Sequence, residues 1–218
     1  MRRPKIITID GPAGAGKSTV AKKVAELFGY LHLDSGAIYR AIGYACKEKG
    51  VNLKDEKSVL KVAKGLSIQL KGDRVYLNGV DVTNKIRTPE GGVLASQVAQ
   101  FPSVRELVVK LLRKMAEGKE VVIDGRDAGS YIFPDAPLKI YLTAAPEERA
   151  RRRFEELKKK GFNVSYQEIL KEIIERDEKD RNRSFAPLTV PEGAVVIDTT
   201  GKSLKQVLSE VEKLINDP

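Results

Sequence analysis

Tryptophan is absent, and cysteine and histidine occur once each, as Cys46 and His32. A lone cysteine cannot close an internal disulfide, which excludes a disulfide scaffold and suits a reducing compartment. Cys46 therefore reads as a small buried hydrophobe. His32 has no cysteine or carboxylate cluster beside it, so it reads as structural, not as a base or a metal ligand. No run approaches the length of apolar chain that spans a bilayer, so no membrane segment is expected. The opening MRRPKIITID enters a strand pattern at once. It lacks the apolar stretch and cleavage site of a signal peptide, and a cytoplasmic protein is expected. Basic runs with interleaved aromatics are missing too, which argues against a nucleic-acid partner. No internal repeat or low-complexity segment interrupts the 218 residues.

What is present is enough for one substantial α/β core with small insertions: 41% of residues are hydrophobic and 32% charged. Lysine and arginine outnumber aspartate and glutamate 39 to 30, a net charge of +9 that points to an anionic ligand such as nucleotide phosphate. The stretch IITIDGPAGAGKSTV then makes that ligand specific. An apolar strand ends at Asp10. Gly11, Pro12, Ala13, Gly14, Ala15 and Gly16 form a loop, and Lys17, Ser18 and Thr19 open a helix. This is G-x-x-x-x-G-K-[ST] between strand and helix, the phosphate-loop signature. Glycines allow successive amides to turn toward phosphate oxygens, and the helix N-terminus adds partial positive charge. Lys17 is placed to reach the β/γ-phosphates of ATP, and the Ser18 hydroxyl to ligate Mg²⁺.

Further along, apolar stretches at Tyr30–Leu33, Glu120–Asp124, Lys139–Thr143 and Ala194–Asp198 alternate with helical patterns. Being apolar on both faces, they predict a parallel sheet covered on both sides. Helices are expected over Val20–Phe28 with Gly29 as the stop, from about Ala37, over Asp55–Lys64 and Pro89–Gln100, and onward from Pro102 and Pro146. Ser165 with Glu168, and Ser203 with Gln206, have capping-box spacing. Leu66–Thr83 alternates instead, with turn residues at Gly72-Asp73 and Asn78-Gly79, and predicts a small antiparallel sheet.

Arginines gather in Ser35–Arg40, Gly125-Arg126-Asp127, Arg149–Arg153 and Arg176–Arg183, mostly at or beyond strand ends, where open parallel sheets bind ligands. Phosphoryl transfer needs alignment and positive charge more than covalent help, and the guanidinium fork binds phosphate bidentately. Helical spacing puts Arg149, Arg152 and Arg153 on neighbouring positions, where they could converge on one ligand. Asp124 ends its strand either as a carboxylate near Mg²⁺ or as a turn cap; Asp10 reads as structural.

These stretches together resemble the bacterial cytidylate kinases of the nucleoside monophosphate kinase group. The matching segments are IDGPAGAGKSTVAK, LDSGAIYRA, ASQVAQFPSVRE, IDGRDAGSYIFPDAPLKIYLTAAPEERARRR, ERDEKDRNRSFAPL and IDTT. They occur in the family's order across nearly the whole chain, and the GRD and RDxxDxxR motifs are far more specific than the phosphate loop. The resemblance implies a P-loop kinase fold, a parallel five-stranded sheet flanked by helices. It implies a core at 1–62, 91–147 and 184–218, a monophosphate-binding insert at 63–90 and a helical lid at 148–183. It also implies transfer of the ATP γ-phosphate to CMP and dCMP, in pyrimidine nucleotide metabolism; no long exposed apolar stripe forces a dimer, and a monomer is expected. Ser35, Arg40, Arg126, Arg176 and Arg183 would grip the CMP phosphate or the transferring group. Ser96, Arg105 and Asp127 would read the cytosine, and Asp180 with Arg176 the ribose. Arg149, Arg152 and Arg153 would sit on a lid over ATP. Rival acceptors are UMP, AMP and dTMP, and beyond them a small molecule such as shikimate; an ATP-switched nucleic-acid-binding module is the rival from another class.

Overall fold

The computed structural model describes residues 3–216. In chain order, β1 (Ile6–Asp10), α1 (Lys17–Phe28), β2 (Leu31–Asp34), α2 (Ser35–Glu48) and α3 (Glu56–Lys64) come first. Then follow β3 (Ile68–Lys71), β4 (Arg74–Leu77), β5 (Val80–Asp81), α4 (Thr83–Ile86), α5 (Pro89–Val98) and α6 (Pro102–Ala116). The remainder is β6 (Val121–Gly125), a π-helical turn (Ala128–Ile132), β7 (Leu138–Thr143), α7 (Pro146–Lys159), α8 (Tyr166–Asn182), β8 (Val195–Asp198) and α9 (Leu204–Asn216). The chain folds into two compact units, Met1–His32 with Lys119–Pro218, and Leu33–Gly118.

The parallel sheet that the apolar strands predict is ordered β2-β6-β1-β7-β8, with β6, β1, β7 and β8 in the first unit. Register is fixed by pairs such as Ile9 with Asp124 and Asp10 with Tyr141, which bring the ends of β1, β6 and β7 to one level. β6 is buried throughout, as a strand covered on both faces should be. β8 departs from that expectation: it has a neighbour on one side only, and Val195 and Val196 are exposed. Ile7, Ile9, Ile140 and Leu142 pack with Val24 of α1 and Val211 of α9. Helices α7 and α8 pack together around their own apolar cluster of Ala150, Leu157, Ile169 and Ile173.

The second unit is helical, with α2 packed on α3 and α5, and α3 on α6. Its antiparallel sheet, ordered β3-β4-β5, falls where the alternation predicts. Asn78 and Gly79 turn the β4–β5 hairpin with φ of 50° and 83°, the left-handed pair of a tight hairpin turn.

Helix boundaries follow local capping chemistry. α2 begins at Ser35, two residues before the predicted start, because the Asp34 carboxylate accepts the N–H of Ala37 and caps it. At the start of α9, Ser203 and Gln206 exchange the reciprocal bonds of a capping box. The same spacing at α8 yields a Ser165 N-cap without a side-chain cap bond. The short α4 has no clear periodic signature in sequence.

Candidate active site

The phosphate loop is built from outside in. Gly11 has φ of 142°, and a Cβ there would lie 1.9 Å from the Leu142 carbonyl oxygen, so only glycine lets the loop leave β1 beside β7. Gly16, left-handed at φ 92°, turns the chain into α1. Three loop carbonyls are tied back to the protein. Pro12 accepts Lys17 Nζ at 2.7 Å, Ala13 accepts Arg149 Nη1 at 3.0 Å, and Ala15 accepts the Thr199 hydroxyl at 3.3 Å. Holding carbonyls on one side fixes the peptide planes and so the directions of the intervening amides.

Lys17 is buried, and its ammonium is pushed well below the ordinary lysine range by that burial, with the Arg126 and Arg176 charges acting in the same direction. The loop lysine thus feels the charges of both arginines, which belong to the same unit. Asp124 lies there too. Its Oδ2 accepts the Ser18 hydroxyl at 2.6 Å and its Oδ1 pairs with His32 Nε2 at 2.7 Å. Burial by itself would raise the Asp124 carboxyl; the bonds from His32 and Ser18 and the Lys17 charge outweigh it and lower its pKa. His32, read as structural, has a carboxylate partner in Asp124. β6 lies between β2 and β1 in the sheet, and this brings together residues 92 positions apart.

Arg126 donates through Nε to Asp180 Oδ2 at 2.8 Å. Arg183 lies 3.8 Å from both Asp180 and Asp127, and its Nε holds the Ala186 carbonyl at 2.6 Å. Asp180 is half-buried, which would raise its carboxyl, but Arg126, Arg176 and Arg183 together hold it below the usual range. The GRD motif and the RDxxDxxR helix therefore form one charge cluster in the first unit.

Arg149, Arg152 and Arg153 do not converge. Arg149 is almost fully buried and spends its guanidinium on Ala144, Ala13 and Asp177. Arg152 binds Glu148 and the Thr199 carbonyl; Arg153 binds Glu156. In the second unit, Ser35 is buried at the start of α2 and Arg40 lies one turn on, its Nη1 3.2 Å from where a Gly36 Cβ would sit. Ser96 is half-buried on α5. Arg105 is buried, donates to the Ala99 carbonyl at 3.1 Å and lies 5.4 Å over the Tyr39 ring. Thr199 and Asp177 are the supporting residues that sequence reading missed; the signals available were the IDTT stretch and the acid inside ERDEKD.

A sheet ordered 2-6-1-7-8, with a phosphate loop after β1 and a carboxylate at the end of β6 on the loop serine, defines a P-loop kinase. Two solved structures share the fold at low identity. A gluconokinase from Sinorhizobium meliloti gives TM-score 0.51 at 16% identity, covering 100% of this chain and 97% of that one. A shikimate kinase from Bacteroides thetaiotaomicron gives 0.50 at 16%, covering 97% and 98%. Sequence carries the assignment further. The family described as Cytidylate kinase matches residues 7–217. A cytidylate kinase of Caldanaerobacter subterraneus subsp. tengcongensis is 52% identical over 96% of this chain and 93% of its own. One from Clostridioides difficile is 46% identical over 97% and 98%. The chain belongs to the cytidylate kinase family and is a phosphotransferase.

Proposed function

We propose that this chain transfers the γ-phosphoryl group of ATP to CMP, giving ADP and CDP, with dCMP as a second acceptor. The observation that carries the reading is the Ser18–Asp124 pair at the head of a phosphate loop whose Lys17 is buried and held to the Pro12 carbonyl. A phosphate oxygen of CMP is already anionic, so it attacks without a strong base; the γ-phosphorus–oxygen bond to ADP breaks as the new one forms. The protein's task is to align the two nucleotides and neutralise the charge spread over the migrating group.

Arg126, Arg176 and Arg183 serve the CMP phosphate and the transferring group, as do Ser35 and Arg40. Ser96, Arg105 and Asp127 read the cytosine, and Asp180 with Arg176 the ribose. Polar base-reading groups reject the wrong ring strongly because a mismatch leaves them unpaired. The loop from Gly11 to Thr19 binds ATP. Arg152 and Arg153 serve ATP on a lid spanning 148–183, the segment 63–90 serves as the monophosphate-binding insert, and Arg149 serves ATP by holding the Ala13 carbonyl. Mg²⁺ fits the hydroxyl–carboxylate donor set of Ser18 and Asp124, both hard oxygen ligands. Bound there, it would neutralise charge on the ATP phosphates. The protein works as a monomer in the cytoplasm, with no membrane or nucleic-acid partner; among the described residues no helix is long and apolar enough to cross a membrane.

A coupled ADP-release assay with ATP fixed and CMP, dCMP, UMP, AMP and dTMP varied tests the acceptor. CMP and dCMP should give the highest kcat/KM; a preference for any of the other three overturns the reading. Asp180→Ala should impair CMP use while ATP binding stays near normal. Loss of ATP binding alone refutes the ribose assignment.

A further inference from the structure

Asp10 closes β1 immediately before the phosphate loop, yet its carboxylate is turned toward a different segment. Oδ1 accepts the N–H of Ala128 and Oδ2 the N–H of Gly129, each at 2.7 Å, and the residue has no exposed surface. Those two amides open the π-helical turn that directly follows Asp127. The Ala128 N–H shares a peptide plane with the Asp127 carbonyl. Anchoring it therefore anchors ψ of Asp127, which is 23° with φ at −146°, and with it the direction in which the Asp127 side chain leaves the backbone. The seat is closed from the other side too. A Cβ at Gly129 would lie 2.6 Å from Thr8 Oγ1 and 3.2 Å from Asp10 Oδ2, so the turn is pressed onto β1.

We infer that Asp10 is a positioning residue: it latches the turn behind Asp127 and thereby sets base selection, although it belongs to the strand that delivers the phosphate loop. The inference rests on the reading that Asp127 contacts the cytosine. Above about pH 7, where Asp10 is ionised, its carboxylate offers two acceptor oxygens and no donor, matching two consecutive amides. Asparagine would keep the shape but aim an NH₂ group at one of the two N–H groups, leaving it buried and unpaired.

The test is Asp10→Asn, assayed with CMP and UMP at fixed ATP and with ATP at saturating CMP, beside Asp127→Ala as the reference. Losing one of two buried bonds should lower kcat/KM for CMP about ten- to one-hundred-fold. The CMP-to-UMP ratio should shrink, while KM for ATP stays within about two-fold of wild type. A change in KM for ATP with an unchanged CMP-to-UMP ratio overturns the latch. If Asp127→Ala shrinks the ratio and Asp10→Asn does not, the latch fails and the base-reading assignment stands. If Asp127→Ala leaves the ratio unchanged, that assignment fails and the latch falls with it. Should Asp10→Asn not fold, Gly129→Ala displaces the same turn without altering charge. It should shrink the ratio in the same way, and a wild-type ratio in that variant also overturns the latch.

Discussion

The floor of the phosphate loop and the outer part of the α7–α8 hairpin are both rich in charge, and they use it in opposite ways. At the floor, Arg149 is buried, its Nη2 lies 2.7 Å from Asp177 Oδ2, and its other donors hold the Ala13 and Ala144 carbonyls. Farther along α7, Arg151 bridges Glu148 and Glu155, and Lys160 pairs with Glu156, all on neighbouring turns at the surface. The first arrangement joins segments distant in sequence and fixes a shape. The second adds only local support to a helix, because exposed pairs are screened by water and salt. The hairpin has its own small apolar core and wears its local ion pairs on the outside, whereas a loop with its carbonyls tied back suits a part that is ready before the ligand arrives.

Removing the root ion pair should have the largest effect. Asp177→Ala leaves Arg149 as an uncompensated buried charge and should cost about 3–5 kcal/mol in urea unfolding; a variant as stable as wild type breaks the contrast. Next comes the loop itself. Lys17→Ala should lower kcat by about 10²–10³ with the fold retained by circular dichroism, as expected for deleting one preorganised charge. A near wild-type kcat would remove Lys17 from the mechanism.

Asp10 gives a pH test of the same rigid floor. Burial raises its carboxyl from 3.8 to about 7 despite the bonds from Gly129 and Ala128 that oppose the rise; Asp127 adds to the rise, and Lys17 opposes it. The folded state therefore takes up a proton at higher pH than the unfolded chain does. Its buried charge destabilises above about pH 7, and that penalty is relieved as pH falls from 7 toward 4. From pH 8 to pH 5, wild type should gain stability relative to Asp10→Asn by on the order of 2–3 kcal/mol. Parallel curves for the two proteins would show that Asp10 titrates normally. The smallest effect belongs to the hairpin surface, where Arg151→Ala should leave the unfolding midpoint unchanged within scatter. A large loss there would mean that the surface pairs act as a network.

Much of the fold is legible in the amino-acid sequence. The phosphate loop, the strands at Ile6–Asp10 and Glu120–Asp124, the antiparallel segment and the α9 capping box are local patterns, and each appears within a residue or two of where its pattern lies. The start of α2 is not legible, because Asp34 reads equally well as a strand end or an N-cap, and only its bond to Ala37 decides. Arg149, Arg152 and Arg153 share a helix, but their guanidinium groups reach different partners, since a long flexible side chain is directed by what surrounds it and not by helical spacing alone. His32 beside Asp124 is beyond the reach of sequence patterns, because strand order in a sheet does not follow order in the chain.

By itself the sequence determined the chemistry available: a loop that can cradle phosphate, a serine able to bind a cation, and arginines in motifs dense enough to place the chain in a family. Those properties follow from residue types and short spacings. Tertiary structure decided which carboxylate serves which partner, sending Asp124 to Ser18, Asp180 to Arg126, Asp177 to Arg149 and Asp10 to the turn after Asp127. An aspartate in a sequence is only an acceptor in waiting; the donors it meets are set by strand order, burial and the fixed directions of backbone amides.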